Sequence, residues 1–233
     1  MLLRRFMSRH RIDSRILIAF LILTSTGFAF LRLASEVKEG GTLAFDQAIL
    51  EWLRCVSDPS VPVRTHWFVA SMMDVTALGG FSVLTIITVI AVGYLAIVRK
   101  TITAVFLTAA IAGGAIVSSL FKLGFARSRP EIVAHLVTVN SSSFPSGHAM
   151  NSAVAYLTIG TLLARTQKDR SVRIYFLSVA IALTLAVGFS RVYLGVHWPS
   201  DVIGGWCVGA SWAALCSLIA RSLQRRNKLE NPS

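Results

Sequence analysis

Apolar positions gather into six stretches that contain no Asp, Glu, Lys or Arg: residues 16–31, 75–98, 101–121, 149–164, 174–190 and 202–220. A helix needs about 20 apolar residues to cross about 30 Å of hydrocarbon. Four of the stretches reach or approach that length, and the other two reach it once a flanking basic side chain snorkels to the interface. None alternates apolar and polar residues with period two, which argues against a β-barrel. The pattern predicts an all-α, polytopic membrane protein with six transmembrane helices.

The links between these stretches differ in character. Residues 35–74 form the longest. Within it, FDQAILEWL places Phe45, Ile49, Leu50 and Leu53 at helical spacing. This predicts a short amphipathic outer helix lying at the interface between spans one and two. The DPSVPV stretch ends it, and a second helical piece leads from Trp67 into span two. Residues 126–147 form a second outer link, and the third, SRVYLGVHWPSD, is short. No repeat or low-complexity segment appears. The expectation is one domain over 1–233, with cytoplasmic tails at 1–14 and 222–233.

Composition agrees with the pattern: 54% hydrophobic and 15% charged residues, with a mean hydropathy of +0.65. A net charge of +12 would suit nucleic acid, but its placement argues otherwise. With the N-terminus inside, segments 1–15, 99–100, 165–173 and 221–233 hold fifteen Lys/Arg and three acids, and the rest of the chain holds eight of each. That is the positive-inside pattern, so no nucleic-acid partner is expected. The basic residues before the first stretch are reminiscent of a signal peptide. No A-x-A site follows, the nearest candidate being Arg32-Leu33-Ala34, so the expectation is an uncleaved anchor. Cys55, Cys207 and Cys216 suggest neither a disulfide nor a zinc site. Gly205-x-x-x-Gly209 is read as close packing within the bundle.

Ionisable residues then gather at outer-side junctions. Lys122 ends span three, and Arg127 and Arg129 follow it. Ser146, Gly147 and His148 precede span four. Arg191 and His197 follow span five, and Asp201 opens span six. Buried uncompensated charge is costly, so such residues are functional candidates. Lys122, Arg129 and Arg191 offer donors suited to phosphate oxygens. Ser146 is a good N-cap, and Gly147 lets an anion approach the free N–H groups of a helix start. Pro199 interrupts any helix between His197 and Asp201. Asp201 then falls in the first helical turn, where it can bond Nδ1–H of His197 and leave Nε2 with its lone pair. His148 can donate and accept a proton. Arg127 is expected to snorkel or to contact a lipid headgroup. His66, His135, Arg54 and Arg64 read as interfacial anchors or solvated groups, and Asp74 as a helix-end polar residue.

Three motifs, in order, resemble those of the type 2 phosphatidic acid phosphatases. KLGFARSRP at 122–130 is similar to K-x6-R-P, PSGH stands at 145–148, and SRVYLGVHWPSD at 190–201 is similar to S-R-x5-H-x3-D. The resemblance covers roughly residues 15 to 221 and includes the six-span layout. It implies a metal-independent lipid phosphatase with no cofactor. In that reading His197 attacks phosphorus to form a phosphohistidine, and Asp201 orients His197. His148 protonates the leaving group and then activates water. Lys122, Arg129, Arg191, Ser146 and Gly147 hold the phosphoryl oxygens. Undecaprenyl diphosphate, phosphatidylglycerophosphate, phosphatidic acid and lipid A phosphates are the substrates implied. A bacterial inner membrane is the implied location, with the site facing the periplasm or exterior. Two rivals stand beside it. Vanadium haloperoxidases share the oxyanion constellation but lack membrane spans. A lipid or anion transporter would explain the arginines but not the paired histidines with Asp201.

Overall fold

The computed structural model describes residues 14–55, 58–62, 66–138 and 141–225. Arg64 and most of both basic tails lie outside these. The described residues form eight helices: α1 (Ser14–Glu39), α2 (Leu43–Trp52), α3 (His66–Ala77), α4 (Phe81–Ile97), α5 (Thr101–Gly124), α6 (Gly147–Thr166), α7 (Arg170–Tyr193) and α8 (Pro199–Arg225). The helices are joined by one small antiparallel pair, β1 (Arg54–Cys55) with β2 (Asp58–Pro62).

Among the described residues, four helices are long and apolar enough to cross a membrane: α1 over Ile16–Glu39, α5, α7, and α8 over Pro199–Gln224. The protein is a multi-pass membrane protein. The run 75–98, expected as one span, is broken. Helices α3 and α4 meet at 51° across Leu78–Gly80, and count as one further span only if the bent pair is taken together. Close packing surrounds the break. A Cβ on Gly79 would lie 2.3 Å from Cγ1 of Val187 on α7 and 3.4 Å from Cβ of His148 on α6. The Tyr156 hydroxyl donates to the Leu78 carbonyl at 2.7 Å, giving the interrupted backbone a partner.

Helix α6, 20 residues long, is not among these four apolar helices. It is the inner helix of the bundle, packed against α5, α7 and α8. Ala149, Met150, Ala153, Val154 and Ala155 are all nearly fully buried along it. A helix enclosed by others meets little lipid, so small residues matter more than uniform apolarity. Gly205 and Gly209 confirm the packing reading. A Cβ on Gly209 would lie 2.5 Å from Ala153 Cβ, and one on Gly205 would lie 2.7 Å from the Ser146 carbonyl oxygen.

Two apolar clusters hold the connecting segments at one end of the bundle. Phe144, wholly buried, stacks on Phe30 of α1 and meets Phe125 edge-on. This ties both ends of the long link 125–146 to α1. Leu50 and Leu53 of the α2 segment pack with Val133, Tyr193 and Trp198. Helix α2 therefore sits on the links that carry the ionisable residues.

Candidate active site

The N-terminus of α6 brings the first group into place. Ser146 is its N-cap, and its Oγ accepts from the Ala149 N–H at 3.5 Å. The Ser146 N–H donates to the backbone carbonyl of Asp201 at 2.9 Å, joining the start of α6 to the start of α8. Gly147 lies directly under Lys122: a Cβ there would be 3.0 Å from Lys122 Cε and 3.1 Å from Nζ. Lys122 Nζ donates to Ser141 Oγ at 2.9 Å. His148 follows, half-buried, within electrostatic range of Arg191, His197, Lys122 and Arg129. The three junctions do converge.

Arg129 reaches across from the link. Its Nε donates to the Ser141 carbonyl at 2.8 Å, Nη1 donates to the Val196 carbonyl, and Nη1 is 3.3 Å from His197 Nε2. Arg191, 3% exposed at the end of α7, donates from Nη1 to Thr76 Oγ1 at 3.0 Å. Its Nε has no hydrogen-bond partner among the described residues. No carboxylate lies within ion-pair distance of Lys122, Arg129 or Arg191 among the described residues. The three cations also repel one another.

His197 is 1% exposed, and its Nδ1 lies 3.4 Å from Asp201 Oδ2. Burial holds its imidazole well below the usual histidine range, at about 4. Arg129 and Arg191 act in the same direction, and Asp201 pulls against them. The ring is therefore neutral near pH 7. Asp201 Oδ2 also accepts from the Trp198 N–H at 2.9 Å and from the Ser143 hydroxyl. Helix α8 starts at Pro199, so Asp201 does stand in its first turn.

Two sequence expectations need correction. Arg127 does not face a headgroup. Its side chain is 12% exposed, with Nη1 2.6 Å from Asp201 Oδ1 and Nη2 2.8 Å from Asp46 Oδ2. Arg54 is not an interfacial anchor. It is 4% exposed, donates from Nη1 to the Leu53 carbonyl at 3.2 Å, and packs against Gly195. Burial lowers its pKa from the usual arginine value. His66 and Asp74 are exposed. His135 caps its own loop through the Pro130 carbonyl.

The sequence reading missed Asp46, Ser143 and Ser200, all wholly buried. Asp46 carried a usable signal. It lies four residues before Leu50 and seven before Leu53, on the face that docks. Ser143 and Ser200 stand beside the motifs without belonging to their defining positions.

Comparison with known proteins bears on what this arrangement is. The profile of the PAP2 superfamily matches residues 103–225. The chain is 33% identical over 184 residues to phosphatidylglycerophosphatase B of Bacillus subtilis, covering 77% of this chain and 85% of that one. The chain belongs to the PAP2 superfamily. The phosphatase relatives and solved neighbour within it support the enzyme class, a lipid phosphatase. A shorter match, 38% identical over 88 residues, is to undecaprenyl-diphosphatase of Sulfolobus acidocaldarius, covering 38% of each chain. The crystal structure of a transmembrane PAP2 type phosphatidylglycerolphosphate phosphatase from Bacillus subtilis superposes with a TM-score of 0.79 at 29% identity. It covers 88% of this chain and 98% of that one. The PAP2 profile begins at Thr103, so it takes in the cation cluster and both histidines but not α2 and its Asp46.

Proposed function

We propose that the protein is a metal-independent phosphatase that removes the terminal phosphate of a lipid mono- or diphosphate through a phosphohistidine. The observation that carries this reading is the set of three cations, without carboxylate partners among the described residues, around a neutral imidazole backed by Asp201. A phosphoryl group needs in-line positioning and stabilisation of charge on its equatorial oxygens. Lys122, Arg129 and Arg191 supply the charge, and Ser146 with the Gly147 N–H completes the cradle at a helix start. His197 Nε2 attacks phosphorus while the bond from phosphorus to the leaving oxygen breaks. His148, protonated once the phosphate's negative charge offsets the cations around it, gives that oxygen its proton. Asp201 accepts from Nδ1–H and balances the positive charge that develops on His197. In the second half, water attacks phosphorus and the bond to Nε2 breaks. His148 takes the proton from water, and free phosphate leaves.

The same reading has six spans, with the bent α3–α4 pair and α6 joining the four apolar helices in one domain over 1–233. Both termini are cytoplasmic, as the basic segments suggest. The site opens on the periplasmic or exterior side of a bacterial inner membrane, where a headgroup enters while its chains stay in lipid. Undecaprenyl diphosphate, phosphatidylglycerophosphate and phosphatidic acid are the substrates to try first, since relatives carry the names of the first two activities.

The test is phosphate release by the purified protein on these three lipids, in detergent and in bilayers, with and without EDTA. The expected result is release on at least one lipid, insensitive to EDTA, and abolished in His197→Ala. Labelled phosphate should be trapped on His197 in His148→Ala given a substrate with a good leaving group. Unchanged release in a folded His197→Ala protein sinks the nucleophile assignment. Loss with EDTA and rescue by magnesium sinks the metal-independent mechanism. No release on any lipid favours a transporter.

A further inference from the structure

A second set of charges sits beside the first. Arg127 is clamped between two buried carboxylates. Its Nη1 meets Asp201 Oδ1 at 2.6 Å and donates to Ser200 Oγ at 2.7 Å. Its Nη2 meets Asp46 Oδ2 at 2.8 Å and donates to Thr42 Oγ1 at 3.1 Å. Asp46 in turn grips the start of α8. Its Oδ1 accepts from the Ser200 N–H at 2.8 Å, and its Oδ2 accepts from the Ser200 hydroxyl at 2.6 Å. The guanidinium also lies over the Trp198 ring, 5.6 Å from its centroid. The Trp198 indole N–H donates to the Ser128 carbonyl at 3.0 Å, fixing the link that carries Arg127.

The two oxygens of Asp201 are thereby divided. Oδ1 belongs to Arg127, while Oδ2 faces His197 Nδ1, the Trp198 N–H and the Ser143 hydroxyl. A carboxylate with one oxygen held this way cannot rotate away from the imidazole. We propose that Asp46 and Arg127 are positioning residues for the reaction, fixing Asp201 against His197 without touching phosphate. Helix α2, which the family profile leaves out, is thus part of the catalytic apparatus. Partners that orient a reacting group from behind typically change activity by about 10–100-fold. The inference rests on the phosphohistidine reading above.

The experiment measures kcat and KM for phosphatidic acid in detergent, with vanadate as the oxyanion inhibitor, in full-length Asp46→Asn, Arg127→Gln and Arg127→Lys. Asp46→Asn keeps the shape and an acceptor for Ser200 but not the charge. The expected losses in kcat are about tenfold for Asp46→Asn and about hundredfold for Arg127→Gln. KM and vanadate inhibition should stay within about twofold, since the phosphate cradle is intact. Arg127→Lys should recover part of the loss. The double variant should lose no more than Arg127→Gln alone, because both act through one chain of bonds. Activity is referred to folded protein measured by size exclusion. Ser200→Ala, which removes only the shared hydroxyl, gives a milder loss in kcat and stands in where Arg127→Gln does not fold. Unchanged kcat in Asp46→Asn and in Arg127→Gln or Ser200→Ala, or losses confined to KM and vanadate binding, overturn the proposal. His197→Ala is run alongside. If it stays active the phosphohistidine reading itself fails, whereas an inactive His197→Ala beside fully active Asp46→Asn and Arg127→Gln sinks only the positioning role.

Discussion

Two halves of one site treat charge in opposite ways. On the α2 side, Asp46, Arg127 and Asp201 are packed with hydrogen-bond partners, and each charge is answered by another. On the α6 side, Lys122, Arg129 and Arg191 stand together with no carboxylate at ion-pair distance among the described residues. The first half is a finished structure that holds a geometry. The second is a stored imbalance, stable only because the fold holds it, and it has a use once an anion arrives. Arg127 and Arg129 are two residues apart in the chain, yet one belongs to each half.

The sharpest way to break this contrast is to remove a cation from each half. Arg191→Ala should lower kcat/KM by about 10³-fold, the scale of losing one arginine or oxyanion donor on a phosphoryl group. Its melting temperature should fall less than that of Arg127→Ala, since relief of like-charge repulsion offsets part of the lost packing and the lost bond to Thr76. Arg127→Ala should instead cost about 3–5 kcal/mol, because it strands buried carboxylates. Thermal unfolding in detergent checks both, and a fall in Arg191→Ala as large as in Arg127→Ala would dissolve the distinction.

Next in size is the pH profile. Only the neutral imidazole of His197 has a lone pair for attack. With its pKa lowered to about 4, the neutral form persists as pH falls from 7 and is lost only near 4. At pH 5, kcat/KM should therefore exceed by about 30-fold that of a site with an ordinary pKa of about 6.5, after division by the substrate's own titration near 6. An acid limb at 6.5 assignable to the enzyme contradicts the burial argument.

A smaller effect is expected where the cation half touches the backbone. In Gly147→Ala the new Cβ displaces the flexible end of Lys122, now 3.0 Å away at Cε. KM should rise about tenfold, the scale of one charge-assisted hydrogen bond, with little change in stability. An unchanged KM would remove Lys122 from the cradle. Smallest of all, the exposed Arg32–Glu36 pair at 3.7 Å belongs to neither half. Arg32→Ala should change melting and activity within error, as surface pairs usually do.

Much of the fold was legible because membrane burial writes itself as unbroken apolar runs. Helices α1, α5, α7 and α8 each contain a run read from the sequence. The break at Leu78–Gly80 was not legible, because Gly79-Gly80 in an apolar run looks the same whether it packs or turns. Only the fold shows that Val187 of another helix packs where a side chain at Gly79 would stand. In the site, the cations and histidines were legible as costly groups beside spans. Arg127 was misread because its partners are remote in the chain: Asp46 is 81 residues away and Asp201 is 74.

The sequence by itself determined which residues are apolar enough to leave water, and which charges sit too close to lipid to be idle. Both follow from the free energy of moving single groups out of water, a property of each residue and its near neighbours. Only the tertiary structure decided which charges would be paired. An ion pair depends on distance in space, and helix packing alone set Asp46 and Asp201 on either side of Arg127 while leaving Arg191, Arg129 and Lys122 facing one another.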